Sequence, residues 1–296
     1  MKKHLVLHLC TILMVAVCLT ACEKPVIDDI VSPPDSGEFE VNFNITHFEQ
    51  IPFSSTTDTR ASTTASDACT RINLAIFKDG EKVKSINQTN TDSSFGIIST
   101  SLTEGTYTVV ILAHSCQGNA TISSPEEIKF PNNKVTDTFY SCQTISINAQ
   151  TSLDVMLHRA VAMFQLNTTD NVPNNVKSMT FYYTGGSSTF NAQTGFGSVN
   201  SRQTETREVT SDMHGRPAVF DVYTFPHAQE GKLKITITAI DANDATVAER
   251  TFEEVPVAVN LITRYTGAFF DNSTPSETGT FRLSMETTWQ QSEYQF

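Results

Sequence analysis

The sequence predicts an all-β protein, two β-sandwich domains in tandem behind an export signal. Short runs alternate apolar and polar residues with a period of two. Turn signals separate these runs at regular spacing, and no segment keeps a long, capped helical period. With 39% hydrophobic residues in 296, including 19 Phe and 7 Tyr, the chain has the apolar surface to fill real cores.

Met1-Lys2-Lys3 is a short basic start, and the run over 5–20 is almost wholly apolar. A permanent bilayer span needs about 20 apolar residues, so this run suits a signal peptide. It ends in Leu19-Thr20-Ala21-Cys22, which looks like a bacterial lipobox. The expectation is a lipoprotein signal over 1–21 and acylation of Cys22. Two or three acyl chains, at about 0.8 kcal/mol per buried CH₂, anchor a protein stably. Prolines and acids make 22–37 an extended tether.

Strand pattern begins with Phe39, Val41, Phe43 and Ile45, which alternate with Glu40, Asn42 and Asn44. The Ser/Thr-rich stretch 54–66, with Arg60 in its middle, reads as an exposed loop. Further strands are expected at 72–77, 82–87, 107–114, 139–147 and 153–157, with Asp79-Gly80 as a hairpin turn. The second half repeats the pattern at 160–167, 179–183, 219–224, 233–239, 247–252, 261–269 and 281–289. Gly185-Gly186-Ser187-Ser188 reads as a sharp break and 191–216 as a long polar connection. The domains are expected at 38–157 and 158–296.

Charge excludes some partners. The formal net charge is −12, from 20 basic and 32 acidic residues. Such a chain is repelled by a phosphate backbone, so nucleic acid is not expected as a partner. Cys69, Cys116 and Cys142 are left once the signal is removed and Cys22 is lipidated. Cys116 and Cys142 lie in or just after strand-like runs. A disulfide between them and a set of three partly buried thiols are both open.

Catalytic patterns are missing. There is no G-x-S-x-G and no H-E-x-x-H. The histidines past the signal (His47, His114, His158, His214 and His227) are scattered and read as surface or strand-edge residues. Asp241-Ala242-Asn243-Asp244 lacks the glycine and distal Glu of a calcium loop and reads as a hairpin turn. Glu253-Glu254 and Glu126-Glu127 would point to opposite faces of a strand, unlike a glycosidase pair. No catalytic, cofactor-binding or metal-binding residue is assigned, and no enzyme or cofactor is expected.

Several blocks carry a family likeness: the lipobox at Cys22, the first-strand block 39–53, and Thr57-Asp58-Thr59-Arg60-Ala61 after it. Arg71-Ile72-Asn73-Leu74-Ala75-Ile76-Phe77-Lys78-Asp79-Gly80, Gly105-Thr106-Tyr107-Thr108-Val109-Val110 and His158-Arg159-Ala160-Val161-Ala162-Met163-Phe164 continue it. In these the chain resembles the fimbrillin superfamily of Bacteroidales, most closely its fimbrial anchor or minor-subunit branch. The resemblance implies transthyretin-like Greek-key sandwiches and a surface-exposed outer-membrane lipoprotein of the fimbrium. Its implied partners are membrane lipid through Cys22 and other fimbrial subunits by β-strand exchange. It also makes 39–45 the candidate first strand and Arg60 the candidate maturation cleavage site, with an ordinary loop arginine as the competing reading. The run Phe281, Leu283, Met285, Thr287, Trp289 reads as closing its own sandwich rather than as a donor strand. The alternative function is a non-polymerising surface lipoprotein that binds glycans or host proteins, for which Phe181-Tyr182-Tyr183 is the aromatic cluster in view.

Overall fold

Alternating sequence becomes strand almost throughout the computed structural model, which describes residues 37–49, 64–271 and 281–286. In chain order the strands are β1 (Glu38–Glu49), β2 (Arg71–Lys78), β3 (Glu81–Thr89), β4 (Ile97–Thr103), β5 (Gly105–His114), β6 (Thr121–Ser124) and β7 (Glu127–Lys129). Next come β8 (Thr138–Ile147), β9 (Thr151–Arg159), β10 (Ala162–Thr168), β11 (Val176–Gly186), β12 (Thr189–Asn191) and β13 (Phe196–Gly197). The last are β14 (Ser201–Glu208), β15 (Val219–Thr224), β16 (Glu230–Asp241), β17 (Thr246–Ala258), β18 (Ile262–Gly267) and β19 (Arg282–Glu286). Among the described residues the one α-helix is the four-residue turn Ala65–Ala68. The protein is all-β.

The first seven-stranded sheet has the order β3-β2-β5-β8-β9-β1-β4. β8 and β9 pair only at Phe139↔Arg159 and Tyr140↔His158, so the sheet folds over there into two layers. Between them lie Phe43, Ile72, Leu74, Val109, Ile111, Val155 and Leu157. The second half stacks β14-β11-β16-β17 on β15-β10-β18-β19 around Phe164, Phe181, Phe220, Ile235 and Ile237.

These halves are one topology used twice. β1 runs parallel to β9 and beside β4; β10 runs parallel to β18 and beside β15. The facing layers β3-β2-β5-β8 and β14-β11-β16-β17 correspond strand for strand. Parallel neighbours need a crossover, and each half supplies one by passing through its other layer. β9 continues through Arg159 and β10 starts at Ala162, so the repeat turns over at Ala160-Val161.

A third sheet ties the halves together. β6 and β7 interrupt the first repeat, β12 and β13 interrupt the second, and the four form the order β13-β12-β7-β6. β7 pairs with β12 at Lys129↔Thr189 and Ile128↔Phe190. Beneath lies a shared core of Phe77, Leu112, Phe130, Val161, Phe190 and Phe225. β2 and β5 are therefore covered on both faces, which explains the unbroken apolar reading of Leu74-Ala75-Ile76-Phe77. The described residues from Phe39 onward accordingly belong to one compact unit.

Local chemistry fixes the register. Asp79 and Gly80 both have positive φ, 51° and 84°, as a two-residue type I′ hairpin turn demands. Asp241 Oδ1 accepts hydrogen bonds from the Asn243 and Ala245 amides, closing the β16–β17 hairpin as a plain turn. The expected break at Gly185-Gly186 is instead the end of β11. A Cβ on Gly186 would sit 2.1 Å from the Thr224 Oγ1. Thr224 is buried and donates to Gln203 Oε1 at 2.7 Å, so it has little room to yield. Gly186→Ala is expected to destabilise the protein by about 1–3 kcal/mol. An unchanged urea midpoint would contradict this.

The polar stretch 191–216 is not a bare connection, because β13 and β14 lie within it. β14 points polar side chains inward. Gln203 donates to the Tyr183 hydroxyl, while buried Glu205 meets Arg207 at 3.2 Å and Lys134 at 3.4 Å. Its burial is satisfied by partners rather than by apolar character.

Candidate strand-exchange site

β1 is longer than its alternating sequence, running on through Glu49. A bulge between Ile45 and His47 makes Thr46 the extra residue, which turns Phe48 inward after Val41, Phe43 and Ile45. These four side chains form one wall of the first core, with Phe43 fully buried and Phe48 edge-on to Phe139 at 5.0 Å. On one side β1 pairs in parallel from Val41↔Thr151 to Glu49↔His158; on the other it lies beside β4, where the Ile45 amide donates to Gly96 O. Its outward face is polar. Asn44 Nδ2 donates to Ser152 Oγ and Asp154 Oδ1, and Ser99 Oγ donates to Asn42 Oδ1. β1 is thus an interior strand held from both sides, and its removal would leave an apolar trench between β9 and β4.

Cys22 and Arg60 lie outside the described residues. At the other end of the chain β19 pairs with β18 from Thr266↔Arg282 to Ile262↔Glu286. The Phe281 ring packs edge-on against Phe252 at 4.9 Å. The described part of the C-terminal run therefore closes its own sandwich.

The Cys116–Cys142 disulfide is not formed. Both cysteines, and Cys69, are free thiols. The β5–β8 register sets Cys142 opposite Val110, six residues before Cys116. An extended chain covers about 20 Å in that interval, whereas bridged Cα atoms sit within about 7 Å. Cys116 Sγ instead donates to Lys134 O. Burial pushes the Cys69 thiol up to about 12 and raises Cys116 and Cys142 as well. Desolvation disfavours the thiolate at all three.

His114 departs from the expected surface position. It is fully buried, its Nε2–H donates to Asn73 Oδ1 at 2.7 Å, and its Nδ1 accepts from the Cys116 amide. Burial first, and the Arg71 charge second, lower its pKa from 6.5 to about 4. Below pH 6.5 the unfolded chain binds a proton at this histidine that the folded chain refuses. Its contribution is full above pH 6.5 and is lost as pH falls toward 4, about 3 kcal/mol in total. Urea unfolding across that window is expected to show the loss, and His114→Gln to flatten it; equal slopes in the two proteins would contradict the assignment.

Glu253 and Glu254 do not alternate: a bulge opposite Lys234 exposes both, and they pair with Lys234 and Lys232. Phe181 and Tyr183 are core residues, and only Tyr182 of that trio is exposed. Among the described residues no three His, Cys, Asp or Glu side chains are grouped to hold a metal ion.

The family model described as "Fimbrillin-A associated anchor proteins Mfa1 and Mfa2" matches residues 33–265. No curated protein matches. Among solved structures, one from Bacteroides ovatus, provisionally described as an adhesin, aligns with a TM-score of 0.51 at 10% identity, covering 86% of this chain and 94% of that one. That similarity shows a shared fold. The fimbrial anchor protein Mfa2 of Porphyromonas gingivalis aligns at 0.44 with 10% identity over 85% and 98% of the two chains. The tip fimbrial protein Mfa3 of the same organism, with a C-terminal truncation, aligns at 0.41 with 10% identity over 84% and 99%.

Proposed function

Because the chain belongs to the family of fimbrillin-A associated anchor proteins, we propose that it is a structural anchor or accessory subunit of surface fimbriae. In this reading lipid on Cys22 holds it in the outer membrane, and it joins other fimbrial subunits by β-strand pairing. The supporting observation is β1, an interior strand that buries Val41, Phe43, Ile45 and Phe48 and precedes Arg60 in the chain. Cleavage after Arg60 would separate the folded body from both Cys22 and β1. A subunit that stays attached by its lipid therefore also keeps β1 and a complete first core.

Intact-mass and N-terminal analysis of the protein from the bacterial surface tests this. The expected chain begins at an acylated Cys22 and still carries residues 38–49. A chain beginning at Ala61 would overturn the anchor reading and make the protein a stalk or tip subunit matured by loss of its first strand.

A further inference from the structure

The corresponding layers β3-β2-β5-β8 and β14-β11-β16-β17 differ in what lies over them. In the first repeat the outer face of β2 and β5 is apolar, and Ala75, Phe77, Val110 and Leu112 are buried there beneath β6 and β7. The equivalent face of β11 and β16 is open, and Tyr182 is 43% exposed on it. Register sets its neighbours. Tyr182 stands opposite Thr204 on β14 and Thr236 on β16, and Thr236 stands opposite Thr251 on β17. The next row along the strands holds Thr206, Thr180 and Thr238. With strands about 4.8 Å apart and rows about 7 Å apart, one phenol ring is set among six threonine hydroxyls. Thr236 and Thr251 bond each other at 3.0 Å, and Thr238 donates to Glu249 Oε2 at 2.9 Å, which engages the carboxylate of these two rows. Among the described residues the hydroxyls of Thr180, Thr204 and Thr206 make no hydrogen bond within the protein. Beyond Tyr182 the face ends in the neutralised pairs Lys232–Glu254 and Lys234–Glu253.

We propose that this face is a binding platform for a neutral saccharide chain, with Tyr182 as the stacking ring. Threonine alone says little, because exposed strands favour it. The contrast between the repeats selects the occupant. Where a layer of protein covers this face, the residues beneath it are apolar, as β2 and β5 show. The two rows on β11 and β16 offer hydroxyls and one ring instead, so they suit a partner that bonds through hydroxyls. An anionic partner is disfavoured by Glu249 and by the net charge of −12. A sugar ring fits both parts of the surface. Its C–H face packs on the phenol, whose ring face is electron-rich. Its hydroxyls exchange hydrogen bonds with those of threonine, each of which is both donor and acceptor. Successive sugars of a chain would meet successive strands. Such sites set a few placed polar groups around an apolar contact, which is the arrangement here. The platform lies on the repeat that does not contain β1, so its success or failure is separate from how the subunit is held at the surface.

The test is affinity electrophoresis of the whole mature protein in gels containing α-mannan, mixed-linkage β-glucan or galactan, with heparin as the anionic control. Retardation is expected in at least one neutral gel and not with heparin. Tyr182→Ala is expected to weaken it about tenfold, and Tyr182→Phe, which keeps the ring, to leave it within about twofold. Thr180→Val removes one hydroxyl at nearly constant volume and is expected to weaken it about threefold. Should Tyr182→Ala also lower the urea midpoint, the other two variants decide: binding must survive in Tyr182→Phe and fall in Thr180→Val. Free migration in all three neutral gels, equal retardation of wild type and Tyr182→Ala, or retardation by heparin as strong as by a neutral chain would each overturn the proposal.

Discussion

Arg159→Ala is expected to lower stability by about 2–4 kcal/mol, because breaking a fully buried ion pair costs about 3–5 kcal/mol and Asp137, 23% exposed, keeps some access to water. Arg159 ends β9, and its side chain is 4% exposed. Nε and Nη2 donate to the two oxygens of Asp137 at 2.8 and 3.0 Å, a bidentate pairing. Nη1 donates to Asn260 Oδ1 at 2.8 Å, and the guanidinium lies 4.6 Å above the Phe139 ring. Asn260 belongs to the β17–β18 turn, and its amide donates to Val161 O. One side chain therefore links the start of β8, the end of β9 and a turn of the other repeat. Lysine would keep the charge but lose the planar fork, so Arg159→Lys is expected to recover little. Because the repeats also share a sheet and a core, the wild type should unfold in one transition by both calorimetry and urea. A loss below about 1 kcal/mol, or full rescue by lysine, would show that the guanidinium geometry is not what holds the junction.

The repeat was readable in the sequence where burial is one-sided. β1, β15 and β16 present alternating apolar residues, and a period of two finds them. Asp79-Gly80 fixed a hairpin because its two positive φ angles restrict which residues can stand there. What escaped the pattern is what joins the halves. β6, β7, β12 and β13 have two to four residues each, too few for any period to show. β14, Ser-Arg-Gln-Thr-Glu-Thr-Arg-Glu, holds no apolar residue, and its burial depends on hydrogen-bond partners supplied by Tyr183, Thr224 and Lys134. His114 was misplaced for the same reason, since Asn73 and the Cys116 amide make its burial tolerable. Polar burial is a property of pairs distant in sequence, 41 residues apart for His114 and Asn73. At the candidate site, the strand and its inward residues Val41, Phe43 and Ile45 were legible. The Thr46 bulge that recruits Phe48 was not.

Removing β1 is expected to have the largest effect of any change to the described residues. Fully burying an aliphatic or phenyl side chain is worth roughly 1.5–3 kcal/mol, so Val41, Phe43, Ile45 and Phe48 together represent about 6–12 kcal/mol. A whole domain has about 5–15 kcal/mol of net stability. The loss also strips hydrogen-bond partners from both β9 and β4, since β1 lies between them. A chain beginning at Ala61 should therefore lose cooperative unfolding of the first repeat, expose apolar surface to a dye such as ANS, and self-associate. The second repeat, with its own core around Phe164 and Phe181, is expected to keep part of its ordered far-ultraviolet signal. A peptide of residues 38–49 supplied in trans should restore the first repeat, because parallel register with β9 and the inward set are both encoded in that segment. Phe43→Ala in the intact chain is the milder form of the same experiment, with an expected loss of about 3–5 kcal/mol. If the truncated chain stays monomeric, dye-silent and as resistant to urea as the full one, β1 is not the wall of the core, and a reading that ties lipid attachment to retention of β1 loses its physical basis.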